Sequence, residues 1–203
     1  GVDTITITNT EAAVANLANV SNVEEVIYRS TAGSATLDLA NFDGATSLTM
    51  DRTVGATDVS NVGLATVLNI TDGGATQNTT ATYLASDVTG SSDAGVVNLD
   101  GMADGSEFTL VGAIESLTWN ATGDASRLDV LEAPGTVTSL TIAAGADLRV
   151  DDTFTAAAIT SLTVTGAGDV TLTPALASTA LTVDASAATG AVAFTSGGGN
   201  QTI

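Results

Sequence analysis

Polar and apolar residues alternate in short runs along most of this chain, and one run keeps returning. It reads Ser116-Leu117-Thr118-Trp119, then Ser139-Leu140-Thr141-Ile142, Ser161-Leu162-Thr163-Val164 and Ala180-Leu181-Thr182-Val183. Upstream copies are Ser47-Leu48-Thr49-Met50 and Val67-Leu68-Asn69-Ile70, with a weaker one at Val26-Ile27-Tyr28. The interval from Leu68 to Leu117 is about two periods, which predicts one decayed copy between them. Period-two alternation marks a half-buried strand. Its return every 20–25 residues or so marks a solenoid, whose units bury their apolar faces only against their neighbours.

After each copy comes a corner residue and a second alternating run. Leu37-Asp38-Leu39, Val97-Asn98-Leu99, Leu128-Asp129-Val130, Leu148-Arg149-Val150, Val170-Thr171-Leu172 and Val192-Ala193-Phe194 read as second strands. Asp43-Gly44, Asp72-Gly73-Gly74, Asp100-Gly101, Asp104-Gly105 and Pro134-Gly135 supply the corners. Strands that repeat one direction in every coil stack in parallel, and chirality favours right-handed winding. The expected fold is therefore all-β, a right-handed parallel β-solenoid (β-helix) with coils of about 20–24 residues and a length of roughly 40 Å. Residues 1–203 are read as one elongated domain. Residues 1–25 are read as an N-terminal strand (Asp3–Thr8) followed by a helical cap over Ala12–Leu17, begun by Asn9-Thr10-Glu11.

The alternation also predicts columns. The inward one is Leu48, Leu68, Leu117, Leu140, Leu162 and Leu181, and Trp119 falls on the same side. The outward one is Thr49, Asn69, Thr118, Thr141, Thr163 and Thr182. A flat Thr ladder could order water as ice-binding proteins do, but Asn69 and the uneven coil lengths spoil it.

Composition narrows the chemistry. The 203 residues are 44% hydrophobic but only 3% aromatic, so the core is built of small and β-branched side chains. Against 23 acidic residues stand four basic ones (Arg29, Arg52, Arg127 and Arg149), for a net charge of −19. That charge repels nucleic acid and anionic membranes, and no apolar run is long enough for direct membrane insertion. With no His, Cys or Lys, the usual triads, thiolates, Schiff bases and His-based metal sites are excluded. Arg149, Asp151 and Asp152 could serve a carbohydrate-active β-helix enzyme, but a surface ion pair is the favoured account, and a strongly negative chain would repel a polyanionic substrate. The expectation is no enzyme. The chain begins at Gly1 rather than Met, which predicts a processed form or a segment of a longer protein.

Carboxylates are the remaining donors. Asp124, Asp147 and Asp169 each follow a marker Leu by the same interval, so stacking predicts one acidic column at about 5 Å spacing. Like charges facing one another destabilise a sheet, and Ca²⁺, which takes carboxylate and carbonyl oxygens, would relieve them. A second candidate is the acidic loop Asp100, Asp104 and Glu107, whose Asp-Gly corners could wrap one ion.

The C-terminal octet Ser196-Gly197-Gly198-Gly199-Asn200-Gln201-Thr202-Ile203 resembles the start of an RTX array, whose repeat runs Gly-Gly-x-Gly-x-Asp-x-apolar. Ser196 stands for a usual Gly and Gln201 for the usual Asp. Together with the Thr/Ala/Gly-rich coils, the chain resembles the β-solenoid region of RTX-containing bacterial surface-layer proteins. That resemblance implies a secreted, calcium-dependent structural protein at the cell surface that self-assembles into a lattice or fibre. A cell-surface polysaccharide is a possible second partner, and residues 196–203 begin a glycine-rich RTX-like segment. The alternative is an adhesin stalk that only spaces a binding domain from the cell.

Overall fold

The computed structural model describes residues 1–10, 19–71, 77–176 and 180–203. Among them the fold is all-β: parallel strands stack into a β-solenoid of about eight turns. One long sheet holds ten strands: Thr4–Asn9, Glu25–Ser30, Ser47–Asp51, Val67–Thr71, Ala94–Asp100, Ser116–Thr122, Ser139–Ala144, Ser161–Gly166, Leu181–Ala188 and Gln201–Thr202. The facing sheet holds eight: Ser34–Asp38, Gly55–Val62, Gln77–Tyr83, Ser106–Val111, Ser126–Glu132, Leu148–Thr155, Val170–Ala175 and Val192–Thr195. Val20–Ser21 and Phe42–Asp43 pair separately at one corner. The expected first strand is present; the expected helical cap lies outside the described residues, as does the Asp72-Gly73-Gly74 corner.

Alternation becomes core directly. In Ser116–Thr122 every second side chain, Leu117, Trp119 and Ala121, is buried. The six marker leucines are all buried, but they do not form one column. Leu48 faces Leu68, and Leu117, Leu140 and Leu162 face one another. Between those groups the expected column breaks, because Leu68 pairs with Val97 and Val97 with Trp119, while Leu117 faces Gly95. At the far end Leu162 meets Val183, not Leu181. Both breaks are two-residue steps, and a two-residue step leaves each side chain on its own face. The core tolerates them for that reason.

The decayed copy is thereby identified. Val97-Asn98-Leu99 belongs to the long sheet, not to the facing sheet as the alternation alone suggests; the second strand of its coil is Ser106–Val111. The register between Asn69 and Asn98 is 29 residues, against 22 from Asn98 to Asn120, because the loop after Tyr83 lengthens that coil. The outward Thr column divides at the same point. Thr118, Thr141 and Thr163 are continuous, but Asn69 faces Asn98 and Asn98 faces Asn120. Those three amides form a chain: Asn98 Nδ2 donates to Asn69 Oδ1 at 2.6 Å and Asn120 Nδ2 to Asn98 Oδ1 at 2.7 Å.

Corners need glycine where two coils touch backbone to backbone. Gly166 has φ +101°, and a Cβ there would collide with the Ala144 carbonyl one coil below. Gly166→Ala is expected to cost about 1–3 kcal/mol, whereas Gly135→Ala, whose Cβ would meet nothing within 4 Å, should change stability by less than about 0.5 kcal/mol. Chemical denaturation of the two variants checks the contrast.

Candidate metal centre

The corner that precedes the facing sheet carries Asp100, Asp124, Asp147 and Asp169. Asp147 and Asp169 are neighbours as the spacing predicts, while Ser126 pairs with Leu148, which sets Ala125 beside Asp147, and Asp124 bonds to Asp100 instead. Backbone bonds join it: Gly101 N donates to Asp124 O at 3.1 Å, Ser126 N to Asp147 O at 2.8 Å and Leu148 N to Asp169 O at 2.8 Å. The side chains reach along the column too. Asp100 Oδ1 accepts from Asp124 N at 2.8 Å, Asp147 Oδ1 from Asp169 N at 2.8 Å, and Asp169 Oδ1 from Ala191 N at 2.7 Å. Each of these three carboxylates therefore meets a backbone N–H of the next coil, which offsets part of the repulsion that the column implies. Small neighbours permit this approach; a Cβ on Gly123 would strike the Asp100 carboxylate, and one on Gly168 the Ala146 carbonyl.

One ion cannot take Asp124, Asp147 and Asp169 together. They sit on three successive coils, so the outer two are about 10 Å apart at the inter-strand spacing. Asp147 and Asp169, both exposed, are neighbours and keep Oδ2 clear of these amide bonds. The acidic loop is likewise divided. Asp100 turns to Asp124, Asp104 to Arg127, and Glu107 stands on the facing sheet beside Asn78 and Val130.

Asp104 enters a different group. Its carboxylate lies with those of Asp129 and Asp151, their oxygens all within 4.8 Å, the only such group of three among the described residues. Two β-bulges assemble it. Asp129 is the extra residue where Ser126–Glu132 pairs with Ser106–Val111, and Asp151-Asp152 oppose Asp129 where the next strand adds one more. A bulge re-aims the side chain it carries. The clue in the sequence is the lapse of alternation at Val130-Leu131 and at Asp151-Asp152.

Arginines already occupy this group. Arg127 and Arg149 are direct register neighbours on the outer face, where like charges repel. Asp151 accepts from both Nε atoms at 2.7 Å, and Arg127 Nε also lies 3.2 Å from Asp104 Oδ1. The hydrogen bond from Arg127, and then that from Arg149, hold the Asp151 carboxyl below its ordinary range. A carboxyl with a lowered folded pKa contributes stability above its unfolded value, near 4, and loses it as pH falls through the folded one. Asp151→Asn should therefore be less stable than the parent at neutral pH, with the difference shrinking on acidification below about pH 4. Thermal melts of both proteins across that range check it. The carboxylate trio suits an oxygen-liganded cation by donor type, but an incoming ion would compete with Arg127.

The corner on the opposite side opens into a cavity of about 330 Å³, with Leu39 and Phe42 at its floor and Asp43, Asn61, Thr66 and Asp87 around it. No arginine lines it. Among the described residues no helix is long and apolar enough to cross a membrane. No family model matches this chain, and neither does any curated protein or solved structure.

Proposed function

We propose that the chain is a structural segment of a secreted bacterial surface-layer or extracellular fibre protein, one that self-assembles at the cell surface with Ca²⁺. The observation that supports this reading is the condition of the two end coils. Ile5 and Ile7 continue the buried column of Val26 and Tyr28 yet are only half-buried. At the other end Val192 and Phe194 continue that of Val170 and Leu172 and are also half-buried. Among the described residues these are core side chains with core on one side, in the terminal strands of their sheets. At the second end Gln201–Thr202 adds in parallel to Leu181–Thr182 instead of folding back as a plug.

Charge sets the condition for assembly. A net −19 makes copies of the chain repel, so contact between them is favoured once divalent ions sit among the carboxylates. Asp147 and Asp169 are the pair best placed to share one. Asp147→Asn with Asp169→Asn keeps an Oδ1 acceptor for both backbone amides while removing both charges. Sedimentation velocity tests the reading. The parent should shift to larger species when Ca²⁺ is added and return on chelation, and the double variant should lose most of that response. A parent that stays monomeric in millimolar Ca²⁺ would instead act as a stalk.

A further inference from the structure

The interior of the facing sheet contains a polar patch that its own groups leave unsatisfied. Thr57, Gln77, Thr79 and Ser106 point inward from three successive strands and are 0–2% exposed. Thr57 pairs directly with Thr79. Asn78 pairs with Glu107, which sets Gln77 beside Ser106 one coil on. Within the patch Gln77 Nε2 donates to Thr79 Oγ1 at 3.2 Å. Thr57 Oγ1, Gln77 Oε1 and Ser106 Oγ have no protein partner. A buried polar atom without a partner costs on the order of 1–3 kcal/mol, and two of them, Gln77 Oε1 and Ser106 Oγ, stand on adjoining strands at one register level.

Geometry supplies the remedy. Neighbouring parallel strands are about 4.8 Å apart, and Gln77 Oε1 and Ser106 Oγ, on adjoining strands, make no direct hydrogen bond. A molecule of water accepting and donating at about 2.8 Å spans that gap. Buried waters take two to four polar partners of this kind, and this pair offers two: one carbonyl acceptor and one hydroxyl that both donates and accepts. Flanking residues close the site from bulk solvent, since Val59, Ala81 and Phe108 on the same strands are 0–1% exposed. We infer that the solenoid encloses a structural water site here, with Gln77 Oε1 and Ser106 Oγ as its ligands.

Crystal structures of the parent and of Ser106→Ala, at a resolution where waters are resolved, test this. The parent should show a density peak within about 3.2 Å of both Gln77 Oε1 and Ser106 Oγ, and the variant should show it lost or displaced. A parent with no peak between those atoms, or with either atom paired to protein, overturns the site. A peak unmoved in Ser106→Ala overturns the assignment of Ser106 as ligand. If Ser106→Ala fails to fold, Ser106→Gly provides the same comparison, and the parent structure alone still decides whether the site exists.

Discussion

Trp119→Ala should destabilise the fold by about 3–5 kcal/mol. Trp119 is fully buried between Val97 and Ile142 and meets Phe108 of the opposite sheet edge-on, with ring centroids 5.6 Å apart and planes at 89°. It is thus a bridge between the two sheets in mid-solenoid, where its coil stacks on both sides. In a solenoid, stability is a sum over coils and their interfaces, so a cavity in a central coil weakens two interfaces at once. Trp119→Phe should cost far less, because it keeps an aromatic ring and removes the indole N–H, which is buried without a partner. Equilibrium unfolding in urea measures both. Equal losses in the two variants would mean that ring contact contributes little.

Leu140→Ala is expected to cost about 2–5 kcal/mol. Leu140 is 0% exposed and lies in the longest unbroken run of the marker column, with Leu117 below and Leu162 above. Truncation leaves a void that two neighbouring leucines cannot close without moving their strands. Leu181→Ala should cost less, since the strand beyond it contributes only Gln201–Thr202. The same denaturation series ranks the two, and a Leu181 effect equal to that of Leu140 would contradict the register described above.

The recurring Ser-Leu-Thr-φ phrase was sufficient to read a parallel β-solenoid, because burial with period two and a fixed return leave few other ways to cover the apolar face. The same periodicity concealed the register. Leu181 and Val183 point the same way, so nothing in the alternation tells which of them meets Leu162. For that reason also Val97-Asn98-Leu99 reads equally well as either strand of its coil. The acidic corner was legible at Asp147 and Asp169, where the coils are alike, while Asp104 was drawn away by an arginine 24 residues from Asp151. That group depends on two bulges, and a bulge is an insertion that a period-two pattern registers only as a local lapse.

Charge connects these features to the proposed function. The outer face pairs its arginines with carboxylates at Asp51, Asp104 and Asp151, and most of the remaining acid has no basic counterpart in a chain with four arginines. On the proposed reading, a rod of this kind would stay dispersed through repulsion and associate where divalent ions weaken it. The half-buried Ile5, Ile7, Val192 and Phe194 would give the proposed association an apolar component beside the electrostatic one.

Electron microscopy of the protein in millimolar Ca²⁺ and after chelation tests self-assembly most directly. The account predicts ordered fibres or sheets with Ca²⁺ and dispersed short rods once the ion is removed. Dispersed rods under both conditions would contradict it.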